Sequence, residues 1–99
     1  HTLRALDLQD RFSITARSDE VPRGKPYPDV FIEAARRLGV APERCVAFED
    51  APAGIVAAKA ADMTCVAIAT TFSKAVLREE AAPDHVIADY REVASLLGF

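Results

Sequence analysis

The stretch Cys45-Val46-Ala47-Phe48-Glu49-Asp50-Ala51-Pro52-Ala53-Gly54 decides the fold of this 99-residue chain. An apolar run ends in two adjacent carboxylates, and a turn marked by Pro52 follows. A short apolar run bounded by turn signals is typical of a strand that is buried on both faces of a parallel sheet. Acidic groups at the carboxyl end of such a strand lie where open α/β sheets keep their ligand clefts. Glu49 and Asp50 are therefore candidate functional residues.

Strands alternate with helices on both sides of this stretch. The apolar spacing of Asp29–Leu38 predicts an amphipathic helix ended by Gly39, and Pro52 suits the first turn of a second helix. The other predicted elements are strands at 12–15, 65–69 and 85–88, helices from 73 and over 89–97, and the end of a helix at 2–6 that breaks at position 7. Short connections between such elements predict right-handed crossovers and a mainly parallel, Rossmann-like α/β sheet.

The composition narrows the class of protein. With 51% hydrophobic residues, 99 residues suffice for one compact domain. The net charge of -3 argues against a nucleic-acid partner, and no apolar run is long enough to span a membrane. Cys45 and Cys65 lie inside apolar runs, which indicates two reduced core thiols. Together these features predict a cytoplasmic protein.

A second unusual segment is Gly24-Lys25-Pro26-Tyr27-Pro28-Asp29, a proline-stiffened loop that presents Lys25. We expect Lys25 at the same sheet edge as Glu49 and Asp50. An ammonium group and two carboxylates at one cleft suit a phosphate ester held by Mg²⁺, because Mg²⁺ prefers carboxylate oxygens and lysine neutralises phosphoryl charge. Taken singly, an acidic pair after a strand is more often a helix cap, and a lone lysine is more often surface charge.

The residues of two motifs carry a family resemblance. They read Val21-x-x-Gly24-Lys25-Pro26-x-Pro28-Asp29-x-Phe31 and Phe48-Glu49-Asp50-Ala51-x-x-Gly54-x-x-Ala57-Ala58-x-Ala60-Ala61-x-Met63. At this spacing the chain resembles the haloacid dehalogenase-like (HAD) hydrolase superfamily, and in particular its phosphatase and β-phosphoglucomutase-like subgroup. The resemblance implies that residues 1–99 are the C-terminal portion of a HAD core domain, a three-layer α/β/α fold with a mainly parallel sheet.

The resemblance also implies roles for the candidate residues. Lys25 would bind the transferring phosphoryl group, Asp50 would bind Mg²⁺, and Glu49 would support the metal directly or through water. The implied activity is phosphoryl transfer from a small phosphorylated metabolite through an aspartyl-phosphate intermediate. Two alternatives stay open, a β-phosphoglucomutase-like phosphomutase and a non-catalytic interaction module. A receiver domain is disfavoured, because its acids should precede its lysine.

Part of the family pattern is missing. Neither the nucleophile motif Asp-x-Asp-x-Thr nor a cap domain is present. We therefore expect no turnover by this chain alone. In the family the nucleophile strand lies beside the strand at 45–48, so we expect an unpaired edge there. The missing N-terminal segment or a second chain could pair with it. Asp7 and Asp62 stand where the family usually has glycine, which predicts local strain at both positions without loss of function.

Overall fold

A computed structural model of the chain describes residues 2–7, 13–17, 21–89 and 91–92. Most of the predicted helix at 89–97 lies outside these residues. The described elements, in chain order, are β1 (Thr2–Asp7), β2 (Ser13–Arg17), α1 (Asp29–Leu38), a 3-10 turn (Pro42–Arg44), β3 (Cys45–Glu49), α2 (Pro52–Ala60), β4 (Thr64–Ile68), α3 (Lys74–Ala81) and β5 (His85–Ile87). The predicted alternation of strands and helices is thus confirmed from α1 to β5.

The described strands form one five-stranded sheet in the order β2-β1-β3-β4-β5. Strands β3, β4 and β5 are parallel, with Ala47 opposite Cys65 and Ala67 opposite Val86. Helices α2 and α3 make the crossovers between these strands, which confirms the Rossmann-like α/β class. Because the three strands run in the same direction, the loops after β3 and β4 leave the sheet at the same edge.

Strand β1 corrects two of the sequence-based predictions. Residues 2–6 were expected to end a helix, with a break at Asp7, but Thr2–Asp7 is an extended strand. It pairs antiparallel with β2 on one side and with β3 on the other, Arg4 lying opposite Phe48 and Asp7 opposite Cys45. The expected unpaired edge of β3 is therefore covered. Pairing the backbone groups on both sides of a central strand outweighs the weak local preference for helix.

The core lies on both faces of β3 and β4. Side chains alternate along each strand, so that Cys45, Ala47, Cys65 and Ala67 pack against the helices. A second cluster lies on the opposite face and consists of Val46, Phe48, Val66, Ile68 and Ile87. In α2 the buried residues include Ala57 and Ala58, and such small side chains let the helix lie close to the sheet. No helix in the described part of the chain is long and apolar enough to cross a membrane.

Helix ends account for two unusual backbone conformations. Gly39 closes α1 with φ of 71°, as predicted. Asp62 follows α2 with φ of 65°, a left-handed backbone at a position where local strain was expected. The short polar side chain of aspartate tolerates this region better than most residues. Helix α3 begins at Ser73, whose Oγ accepts a hydrogen bond from the Val76 backbone N–H at 3.2 Å.

The Asp84 side chain ties the start of β5 to β4. Its Oδ2 accepts a 2.7 Å hydrogen bond from the Cys65 backbone N–H and a 2.8 Å bond from Lys59 Nζ. Its own backbone N–H donates to the Cys65 carbonyl oxygen. Partial burial tends to raise the pKa of Asp84, but the hydrogen bonds from Lys59 and Cys65 outweigh it, and the pKa is lowered. Asp84 therefore stabilises the fold in its charged form.

We expect the Asp84 contact to make stability depend on pH. A carboxyl group with a lowered folded-state pKa stabilises the fold above its unfolded pKa of about 3.9, and this contribution is lost as the pH falls through the folded value. The gap in urea midpoint between wild type and Asp84→Asn should therefore be wide at pH 6 and narrow at about pH 3. Glu79→Gln, at an exposed site on α3, is the control and should show no such narrowing. An Asp84→Asn gap of equal size at both pH values would contradict the prediction.

Candidate active site

The loop before α1 carries Lys25 and is held at both ends. The Tyr27 backbone N–H donates to the Gly24 carbonyl oxygen at 3.1 Å, which closes a turn around Lys25. Arg23 reaches across the loop to Asp29, the first residue of α1, with Nη2 2.9 Å from Oδ1. The Arg23 guanidinium also stacks 4.4 Å from the centroid of the Tyr27 ring. These contacts fix the loop against the helix that follows it.

Lys25 and Glu49 form a buried ion pair. Lys25 Nζ lies 2.9 Å from Glu49 Oε2, and the two side chains are 10% and 2% exposed. The other oxygen, Oε1, accepts a 3.3 Å hydrogen bond from the Asp50 backbone N–H. The structure thus brings together two of the predicted site residues from positions 24 residues apart in sequence.

Burial dominates the electrostatics of Glu49. Removal from water raises the pKa of Glu49, and the hydrogen bond and positive charge of Lys25 oppose that rise without cancelling it. The carboxylate therefore depends on Lys25 as its counter-ion. In turn, Glu49 fixes the ammonium group at the carboxyl end of β3.

Asp50 is the other acid at this edge of the sheet. It is partly buried, and its Oδ2 accepts a 3.2 Å hydrogen bond from Thr71 Oγ1. Thr71 follows β4, so this bond joins the loops after β3 and β4. Thr71 was not among the site residues predicted from the sequence. The position of Thr71 just after a parallel strand was the one signal for the contact with Asp50.

Two residues with side chains of potentially reactive types lie away from this edge. His85 begins β5 and is exposed, and in a parallel strand that start is the end opposite to Asp50. Cys65 is buried in β4, and burial raises the pKa of its thiol to about 12. A thiol with this pKa stays protonated at neutral pH and is a poor nucleophile or metal ligand.

The two carboxylates differ in their fit to Mg²⁺. Asp50 fits, because it offers hard oxygen ligands at a sheet edge and the Thr71 hydroxyl donates a hydrogen bond that orients it. Glu49 is turned toward Lys25 and the Asp50 backbone, so its metal role stays a prediction. In residues 2–7, 13–17, 21–89 and 91–92, no group of three His, Cys, Asp or Glu side chains is placed to hold a metal.

Comparison with known proteins identifies the family of this chain. The family description "haloacid dehalogenase-like hydrolase" matches residues 1–62, which is more than half of the chain. The chain belongs to the haloacid dehalogenase-like hydrolases. One HAD relative is validoxylamine A 7'-phosphate phosphatase of Streptomyces hygroscopicus subsp. limoneus, which is 42% identical over 92 residues. That match covers 93% of this chain and 40% of the relative.

Solved HAD structures share the fold. A hydrolase from Pseudomonas syringae matches with a TM-score of 0.74 and 27% identity, covering 81% of this chain and 38% of its own. A putative β-phosphoglucomutase from Thermotoga maritima matches with a TM-score of 0.66 and 31% identity, covering 81% and 37%. The chain thus spans less than half the length of each of these relatives. Both phosphatases and phosphomutases occur among the names of the family members that it resembles.

Proposed function

We propose that this chain supplies the phosphate-binding lysine and the Mg²⁺-binding acid of a HAD-like phosphatase that acts on a small phosphorylated metabolite. One observation carries the proposal. Lys25 is held at the carboxyl end of β3 by its ion pair with Glu49, the residue that precedes Asp50 and accepts a hydrogen bond from its backbone N–H. An ammonium group and a carboxylate at one sheet edge can hold the two kinds of charge that a magnesium–phosphate complex presents.

The proposed mechanism assigns each side chain a separate task. Lys25 donates from its ammonium group to the phosphoryl oxygens and offsets their charge in the transition state. Glu49 keeps that ammonium in place through the 2.9 Å ion pair. Asp50 holds Mg²⁺, which when bound neutralises phosphate charge and orients the ester. Thr71 orients the Asp50 carboxylate.

The nucleophile of this reaction would come from a segment other than the described ones. Within residues 21–89, no group of three His, Cys, Asp or Glu side chains that could hold a metal surrounds Asp50. The place beside β3, where the resemblance puts the nucleophile strand of the family, is taken by β1. Because β2 pairs with the other side of β1, a partner strand that delivers the nucleophile would have to displace β1 from β3. The likeness to a β-phosphoglucomutase supports phosphomutase chemistry as a second candidate at the same residues.

The binding half of the proposal is tested with inorganic phosphate. We expect the amide resonances of Gly24, Lys25, Tyr27 and residues 49–51 to shift on addition of phosphate with Mg²⁺. Lys25→Met and Asp50→Asn should each weaken this response. Lys59→Gln is the control, since Lys59 pairs with Asp84 at the opposite end of the sheet. An unchanged response in Lys25→Met would contradict the assignment of Lys25.

We also predict that the purified 99-residue chain does not hydrolyse p-nitrophenyl phosphate in the presence of Mg²⁺. The physical reason is that Lys25 and Asp50 bind and orient phosphate, whereas turnover requires a nucleophile placed in line with the ester bond. The measurement is the absorbance of the p-nitrophenolate that is released. Magnesium-dependent turnover that is lost in Lys25→Ala would refute the prediction.

A further inference from the structure

Gly54, in the first turn of α2, creates the space that Glu49 occupies. A β-carbon at position 54 would overlap Cγ and Cδ of Glu49 and would lie 2.5 Å from Oε1. Real β-carbons essentially never approach another atom within 3.0 Å. Gly54 is helical and its φ is not in the left-handed region, so conformational freedom does not explain the glycine. The requirement at this position is for space.

We propose that Gly54 is a positioning residue for Lys25, acting through Glu49. The absence of a β-carbon lets the Glu49 side chain lie against the first turn of α2, and from there its Oε2 holds Lys25 Nζ at 2.9 Å. The proposal rests on the proposed function in one respect, namely that Lys25 is the group that binds phosphate. Gly54 itself touches neither phosphate nor metal.

The surroundings confine the Glu49 side chain. It is 2% exposed, with Lys25 on one side and the Asp50 backbone N–H on another. Helix α2 is held against the sheet, because Ile55, Ala57 and Ala58 are fully buried in the core. A side chain added at position 54 must therefore displace the Glu49 carboxylate from Lys25.

The first test uses the sign of a stability change. Glycine to alanine within a helix normally favours folding, because alanine has the higher helix propensity. For Gly54→Ala we expect the opposite, a fall of about tenfold in the folding equilibrium constant measured by urea titration, as is typical of overpacking. In a Glu49→Ala background the same substitution should be neutral or favourable. Ala53→Gly, at the exposed neighbouring position, gives the reference for helix propensity alone.

The second test follows Lys25 itself. A brief pulse of acetic anhydride followed by peptide mass spectrometry reports how accessible each lysine is. In Gly54→Ala the acetylation of Lys25 should rise about fourfold relative to Lys59, since displacement would take its exposed fraction from 10% toward the 40% of Lys59. A merely structural role for Gly54 would not change this ratio in a folded variant.

The outcomes separate the alternatives. The inference is overturned if Gly54→Ala destabilises the chain equally with and without Glu49, or if a folded Gly54→Ala keeps Lys25 protected. If Gly54→Ala does not fold, a folded Glu49→Ala/Gly54→Ala double variant supports the inference, and failure of that variant beside a folded Glu49→Ala overturns it. None of these readouts uses phosphate. Failure of the proposed function would show separately, as wild-type chain that does not respond to phosphate with Mg²⁺.

Discussion

Lys25→Met should lower the free energy of unfolding by about 3–5 kcal/mol, the loss expected when one partner of a buried ion pair is removed. The reason is that the Glu49 carboxylate, 2% exposed, would stay in the core without its ammonium partner. Burial already raises the pKa of Glu49, and loss of the Lys25 charge would raise it further. The change is measured by urea titration at pH 7, followed by intrinsic fluorescence or by circular dichroism.

Two further variants identify the cause of that loss. In Lys25→Met/Glu49→Gln both charges are removed, so no unpaired carboxylate is left in the core. The double variant should therefore recover at least half of the lost stability. Arg23→Met removes a guanidinium from the same loop, where the pair with Asp29 is largely exposed on the arginine side, and should cost much less stability than Lys25→Met. Equal losses in the single and double variants would show that packing of the lysine stem, and not the stranded carboxylate, causes the effect.

Phe31→Ala should be about as damaging, with an expected loss of about 3–5 kcal/mol. Phe31 is 0% exposed and lies in the first turns of α1, in the core cluster that the helices share with β3 and β4. Truncation removes apolar contacts and leaves a cavity that a close-packed core closes only in part. The free energy of unfolding from urea titration is again the measurement, at a pH where Asp84 is charged.

The neighbouring residue on α1 provides the control for Phe31. Ile32 is 48% exposed, so Ile32→Ala should cost about 1 kcal/mol or less. A similar loss for both variants would mean that α1 is not packed as the structure shows. A loss of stability in Phe31→Ala alone would also show that the loop with Lys25 is anchored on a well-packed helix. The reason is that α1 begins at Asp29, the residue that binds Arg23 of this loop.

Much of the candidate site could be predicted because its residues follow local rules. The apolar run at 45–48 predicts a buried strand, and a parallel strand places Glu49 and Asp50 at the edge where clefts form. The loop with Lys25 was recognisable from its prolines and from the family motif. In contrast, the direction in which Glu49 points depends on Gly54 and Lys25, and Thr71 reaches Asp50 from another loop. Spacing in one segment carries no information about such contacts.

The sequence by itself determined the α/β alternation from α1 to β5 and the left-handed end of α1 at Gly39, and it selected Lys25 and Asp50 as candidate site residues, because periodicity, turn residues and short motifs act within a few neighbouring positions. Only the tertiary structure decided that Thr2–Asp7 is a strand beside β3 and that Glu49 forms an ion pair with Lys25. Both outcomes depend on contacts between distant segments. In each case, pairing a buried backbone or a buried charge outweighs the weak preference of the local sequence.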